Sequence, residues 1–115
     1  MDISKMDMFA TLKPAEFHIL LALAERDLHG YAVMQTVREN SAGRIPLKTG
    51  SFYRHLGRLI DEGVVLEAPG PKTEDDPRRG TYYRLTARGR QILAAEQARL
   101  SGLVAHMKKL KLGAK

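Results

Sequence analysis

Apolar residues in this chain recur at helical spacing in four blocks and as two short extended runs in one, and turn residues separate the blocks. Phe17, Leu20, Leu21 and Ala24 follow i, i+3, i+4, i+7 spacing, which predicts a first helix over Lys13 to Arg26. Pro14 and Glu16 suit its first turn. Ile19 and Leu23 are apolar on other sides, and a helix apolar nearly all round is covered on more than one side. Tyr31, Met34 and Val37 lie three apart and predict a second helix from Gly30 to about Asn40. Ser41-Ala42-Gly43 and Pro46 break the pattern. A third helix is expected from Thr49, its N-cap, to Glu62, closed by Gly63.

Val64 to Ala68 and Thr81 to Leu85 read as two short strands. The segment between them, PGPKTEDDPRRG, is rich in proline and glycine and suits a hairpin loop. Thr86 caps a fourth helix running to about Leu112. In it Leu93, Leu100 and Met107 are seven apart, Leu103 and Leu110 follow the last two by three, and Glu96 is the polar gap in this heptad seam. The expected fold is therefore mainly α, a winged helix-turn-helix in the order helix, helix, helix, strand, strand, helix. Residues 1 to 11 are expected to form a partly disordered arm, 12 to 86 the winged domain, and 87 to 115 a C-terminal dimerisation helix and tail.

The third helix carries the functional argument. Phe52, Leu56, Leu59 and Ile60 form its core stripe, and Ser51, Arg54, His55 and Arg58 the opposite stripe, with no acid before Asp61. Lys48 and Thr49 precede them at the positive end of the helix dipole. A helix fits the major groove of B-DNA, where arginine pairs with guanine and serine reads several edges. Free amides at a helix N-terminus bind phosphate. An ordinary amphipathic helix with a basic solvent face would show the same pattern, but this one follows a helix and a short turn and precedes a wing. Lys72, Arg78 and Arg79 of the wing are expected to reach phosphate, with Arg84 a further candidate. Glu74-Asp75-Asp76 would repel phosphate, so the wing is expected to act from its return limb.

Composition narrows the partners. The net charge is +6 in 115 residues, with a pI near 9.8, which favours polyanions. There are no cysteines, so disulfides and thiolate chemistry are excluded. No apolar run approaches the ~20 residues of a membrane span, and the start has no secretory pattern, so a cytoplasmic location without membrane contact is expected. The four histidines, His18, His29, His55 and His106, show no ligand spacing, and no metal or cofactor is expected. His29 is expected to order the start of the second helix, and His55 to lie near DNA. Ser51 in GSFYR is not a nucleophile elbow, and no enzyme is expected.

Three segments resemble the PadR-type transcription regulators. His29-Gly30-Tyr31 looks like that family's HGY motif. Gly50-Ser51-Phe52-Tyr53 with Leu56, Leu59 and Glu62-Gly63 resembles its recognition-helix pattern, and Tyr53 joins the candidate DNA contacts on that basis. Tyr82-Tyr83-Arg84-Leu85-Thr86 with Gly89 resembles the end of its wing. Phe52 and Arg54 depart from the pattern, where a smaller apolar residue and a proline are frequent. The tail resembles compact members with one C-terminal helix. The resemblance implies a homodimeric regulator, usually a repressor, bound to a two-fold symmetric operator and relieved in some members by a small aromatic inducer near the dimer interface. Leu93, Leu100, Leu103, Met107 and Leu110 would form the dimer seam. Met8, Phe9, Leu12, Leu100, Val104 and Met107 are the inducer candidates, with plain dimer core as the competing role. The alternative function is a winged-helix adaptor that binds protein and not DNA.

Overall fold

The structure, a computed structural model, describes residues 12–70 and 80–113. Four helices and three strands follow one another as α1 (Pro14–Glu25), β1 (Leu28–His29), α2 (Gly30–Asn40), α3 (Thr49–Asp61), β2 (Val65–Ala68), β3 (Tyr82–Leu85) and α4 (Ala87–Lys109). The expected winged architecture is present, with one strand more than the periodicity suggested. The antiparallel sheet has the order β1-β3-β2. Leu28 pairs with Tyr83 and His29 with Tyr82, so the short β1 extends the wing sheet from its other edge. Two residues hold no readable period of their own, and pairing with β3 is what makes them a strand.

One core joins the layers. Ile19, Leu20 and Leu23 of α1 meet Val33 and Val37 of α2, Phe52, Leu56 and Leu59 of α3, Leu85 of β3 and Ile92 of α4. The expected core stripe of α3 is therefore buried, with Ile60 at its margin.

Helix ends explain the turn chemistry. His29 is the N-cap of α2, and its Nδ1 accepts from the Ala32 amide at 3.2 Å. At the end of α3 the Val64 amide donates to the Leu59 carbonyl and the Gly63 amide to Ile60, with Gly63 at φ +75°. This is the Schellman closure, in which a left-handed glycine turns the chain so that orphan carbonyls find donors. The expected cap of α3 is corrected. Lys48, in extended backbone, is its N-cap, and Thr49 is already helical. No side chain accepts there; the Ser51 hydroxyl instead donates back to the Lys48 carbonyl. The last helix ends at Lys109 rather than near Leu112, because the chain leaves the helical path at Lys111, with φ +53°.

Thr86 caps α4 as expected, and it does more than that. Its hydroxyl accepts from the Gly89 amide at 3.0 Å and donates to the Gly63 carbonyl at 2.7 Å. Its own amide donates to the Val64 carbonyl. The start of α4 is thus bolted to the end of α3.

Candidate nucleic-acid interface

The outer surface of α3 is set by which of its faces the core consumes. With Phe52, Leu56 and Leu59 buried, the directly opposite line runs Gly50, Arg54, Gly57, Asp61. Arg54 is exposed at the centre of that line. A Cβ placed on Gly50 or Gly57 would meet nothing within 4 Å, so both glycines leave bare backbone beside Arg54. Lys48 and Thr49 are exposed at the helix start, where the first amides lack intrahelical partners. Ser51 is half-buried and shares this end. These residues form a basic, side-chain-poor ridge, of a shape and charge suited to a groove.

Three expected contact residues sit on the flanks instead. Tyr53 is 48% exposed, yet its hydroxyl turns back over Gly30 at the start of α2 and its ring meets Phe52 edge-on. His55 and Arg58 turn toward α1. The Arg58 guanidinium hydrogen-bonds Oε1 of Glu16, and His55 Nδ1 lies 3.4 Å from Oε2. Glu16 itself is fully buried. Burial works to raise its carboxyl, but hydrogen bonds from Arg58, the Lys13 amide and His55, with the Arg58 charge, outweigh it and hold the group below its ordinary value. The sequence placed Glu16 in the first turn of a helix, and its Oε1 does accept from the Lys13 amide at 3.1 Å. Its partners on α3 are 39 and 42 residues away and leave no local trace.

Arg84, the candidate on the returning strand, is held by Asp27 through contacts of 2.7 to 3.2 Å, while half of its side chain stays exposed. Its guanidinium is raised above the usual arginine range by that hydrogen-bonded carboxylate. Lys72, Arg78 and Arg79, with the acidic run Glu74-Asp75-Asp76, lie outside the described residues, as do Met8 and Phe9.

Between α1 and α4 runs a groove of about 740 Å³, lined by Phe17, Leu21, Leu93, Gln97, Leu100 and Val104 among others. It contains two of the inducer candidates, Leu100 and Val104. Leu12 packs against the core instead. Met107 lines a smaller depression with Leu112 at the end of α4. The dimer candidates divide similarly. Leu93 and Leu100 are half-buried, whereas Leu103, Met107 and Leu110 are 47, 51 and 53% exposed. Glu96, the gap in the seam, is closed onto Arg99 at 2.6 and 2.8 Å, and the arginine's hydrogen bonds lower its carboxyl. Among the described residues no cluster of three potential metal ligands occurs, and no helix is long and apolar enough to cross a membrane.

The model of the PadR-like family of transcriptional regulators matches residues 19–95, from α1 into α4. The chain belongs to the PadR-like family. That family is one of transcription regulators, not enzymes. The PadR-like fold is also that of several solved structures. A PadR family regulator from Clostridium difficile aligns with a TM-score of 0.71 at 23% identity, over 85% of this chain and 98% of that one. A PadR-like transcription factor from Bacteroides fragilis aligns with a TM-score of 0.65 at 24% identity, over 95 and 99%. PadR of Bacillus subtilis, solved in complex with operator DNA, aligns with a TM-score of 0.62 at 23% identity, over 76% of this chain and 48% of that one. A curated relative, an uncharacterised 37.1 kDa protein in a transposon of Streptomyces fradiae, is 38% identical over 95 residues. The match takes in 78% of the chain but spans only a quarter of that relative.

Proposed function

We propose that this PadR-like chain is a sequence-specific DNA-binding regulator, acting as a homodimeric repressor that a small ligand relieves. The observation that carries the reading is the outer ridge of α3. Its cation Arg54 stands between two glycines on a helix whose other faces are packed or tied. Arg54 would read a base edge in the major groove, Ser51 would add a second polar contact, and Lys48 and Thr49 would hold phosphate at the helix start. His55 and Arg58 would border this surface from their places on Glu16, and Tyr53 would border it on the α2 side. Lys72, Arg78 and Arg79 supply the wing's phosphate contacts on the strength of their charge and their place between β2 and β3. The net charge of +6 supports the same partner.

The dimer reading rests on the half-exposed Leu103, Met107 and Leu110, which continue the half-buried Leu93 and Leu100 along one helix. Closing that seam on a second copy would place two α3 helices about one DNA turn apart (~34 Å) on a two-fold symmetric site. The groove beside Phe17 and Leu21 is the space an aromatic inducer would occupy.

Fluorescence anisotropy with duplex DNA at two salt concentrations tests the reading. A DNA reader that neutralises several phosphates loses affinity steeply between them. A protein-binding adaptor shows no salt-sensitive duplex binding, and that outcome would end the DNA assignment. Transcription from a promoter carrying the selected site, with and without the protein, reads the sign of regulation.

A further inference from the structure

Glu16 has 0% exposure, and no contact to DNA or to a second subunit is asked of it. A buried carboxylate without partners is so unfavourable that it would be protonated or expelled. Here both oxygens are engaged. Oε1 takes the Lys13 amide and Arg58, and Oε2 faces His55. His55 and Arg58 are three residues apart, so Glu16 grips α3 at two points nearly one turn apart.

Such a grip differs from the apolar packing beneath it. The stripe of Phe52, Leu56 and Leu59 sets α3 against the core by non-directional burial. The hydrogen bonds add a directional constraint, because they weaken steeply with angle and distance. A rotation of roughly 20° moves a side-chain tip about 6 Å from the helix axis by about 2 Å. That is enough to lose a base contact.

We infer that Glu16 is a positioning residue for base reading. It holds Arg58 and His55 against α1, fixes the rotation of α3, and leaves Arg54 as the base-reading cation of the helix. Arg58 is then a clamp and not a base reader. This inference rests on the DNA-binding function proposed above.

The test compares the full chain, Glu16→Gln and Arg58→Lys on a pool of duplexes with a random core, with sequencing of the bound fraction. Glu16→Gln keeps the size but removes the charge and turns one acceptor oxygen into an NH2 donor, so it cannot accept from Arg58 and His55 together. Its base preferences should flatten at least tenfold at the strongest positions, while binding to unselected duplex changes less than twofold. Arg58→Lys should keep the parent's preferences, because a lysine ammonium still brings a positive charge and a donor to Oε1. A lysine does not replace an arginine that pairs bidentately with guanine. Unchanged preferences in Glu16→Gln would overturn the inference, as would a lost preference at one base pair in Arg58→Lys. Should Glu16→Gln fail to fold by circular dichroism, Arg58→Lys decides alone by the same criterion. A parent chain that binds no duplex removes the underlying function and the inference together. A parent that binds selectively, with variants behaving otherwise than stated, removes the inference only.

Discussion

Gly89 of α4 lies so close to Val64 that a Cβ on it would stand 2.3 Å from the Val64 carbonyl oxygen and 2.5 Å from Leu85 Cδ1. The same carbonyl accepts from the Thr86 amide. The glycine of the third motif therefore lets the start of the long helix sit directly on the turn that closes α3. Gly89→Ala must push backbone away from backbone, which costs about 3 kcal/mol, at the upper end of overpacking effects. A drop in melting temperature of more than 10 °C is expected for a chain of this size. A melting temperature within 3 °C of the parent would mean that the contact is looser than it stands here.

Gly57 should behave in the opposite way. A Cβ there meets nothing within 4 Å, and alanine inside a helix is favoured over glycine by about 1 kcal/mol. Gly57→Ala should raise the melting temperature. If bare backbone at this position lets the ridge enter a groove, the same variant should weaken operator binding several-fold. A variant that is more stable and binds DNA as well as the parent would show that Gly57 lies outside the interface.

The helices were legible because their apolar faces recur with the helical period, and the three motifs mark the places where elements touch. The Gly30 of the first sits under the Tyr53 hydroxyl, the Gly63 of the second closes α3, and Thr86 and Gly89 of the third join α3 to α4. What escaped was long-range or too short to be periodic. β1 exists only through its pairing with Tyr82 and Tyr83. His55 and Arg58 read locally as part of a polar outer stripe, yet a carboxylate from α1 claims both. Thr49 looked like a cap because of its side chain, but the backbone turns one residue earlier.

Arg54→Ala should lower affinity for a selected duplex by about 1–3 kcal/mol and relax preference at one base pair. Lys48→Ala should weaken all duplexes alike and reduce the salt slope by about one. Anisotropy titrations against selected and scrambled duplexes separate the two effects. Equal losses on both duplexes for Arg54→Ala would remove it from base reading.

Stability should depend on Glu16 in acid. Its folded carboxyl lies below the ordinary 4.5, so its contribution is complete above that value and fades as pH falls through the folded one. Hydrogen bonds to a charged group are worth about 1.5–3 kcal/mol. At pH 7 the parent should therefore exceed Glu16→Gln by about 2 kcal/mol in urea unfolding, and the gap should narrow progressively as pH falls below 4.5. A gap that is constant from pH 7 to pH 3 would mean that Glu16 stabilises the fold without being ionised.

The proposed dimer seam lies at the end of α4. From Ser101 onward every residue of the helix is exposed, and Leu103, Val104, Met107 and Leu110 each leave about half of their surface to water. Burying the remaining half of each gains about 1 kcal/mol per side chain. A two-fold pairing counts each twice, so the four residues together offset much of the entropy lost on association. Leu103→Asp with Met107→Asp would place four carboxylates in that seam, and charge in a dry interface is strongly unfavourable. Sedimentation velocity should show a dimer for the parent and a monomer for the double variant at micromolar concentration. The variant's winged core should remain folded, because neither residue touches it. Operator affinity should then fall far more than any single contact could explain, since two linked half-sites become one. A double variant that still sediments as a dimer would place the interface elsewhere and leave this apolar run without its proposed partner.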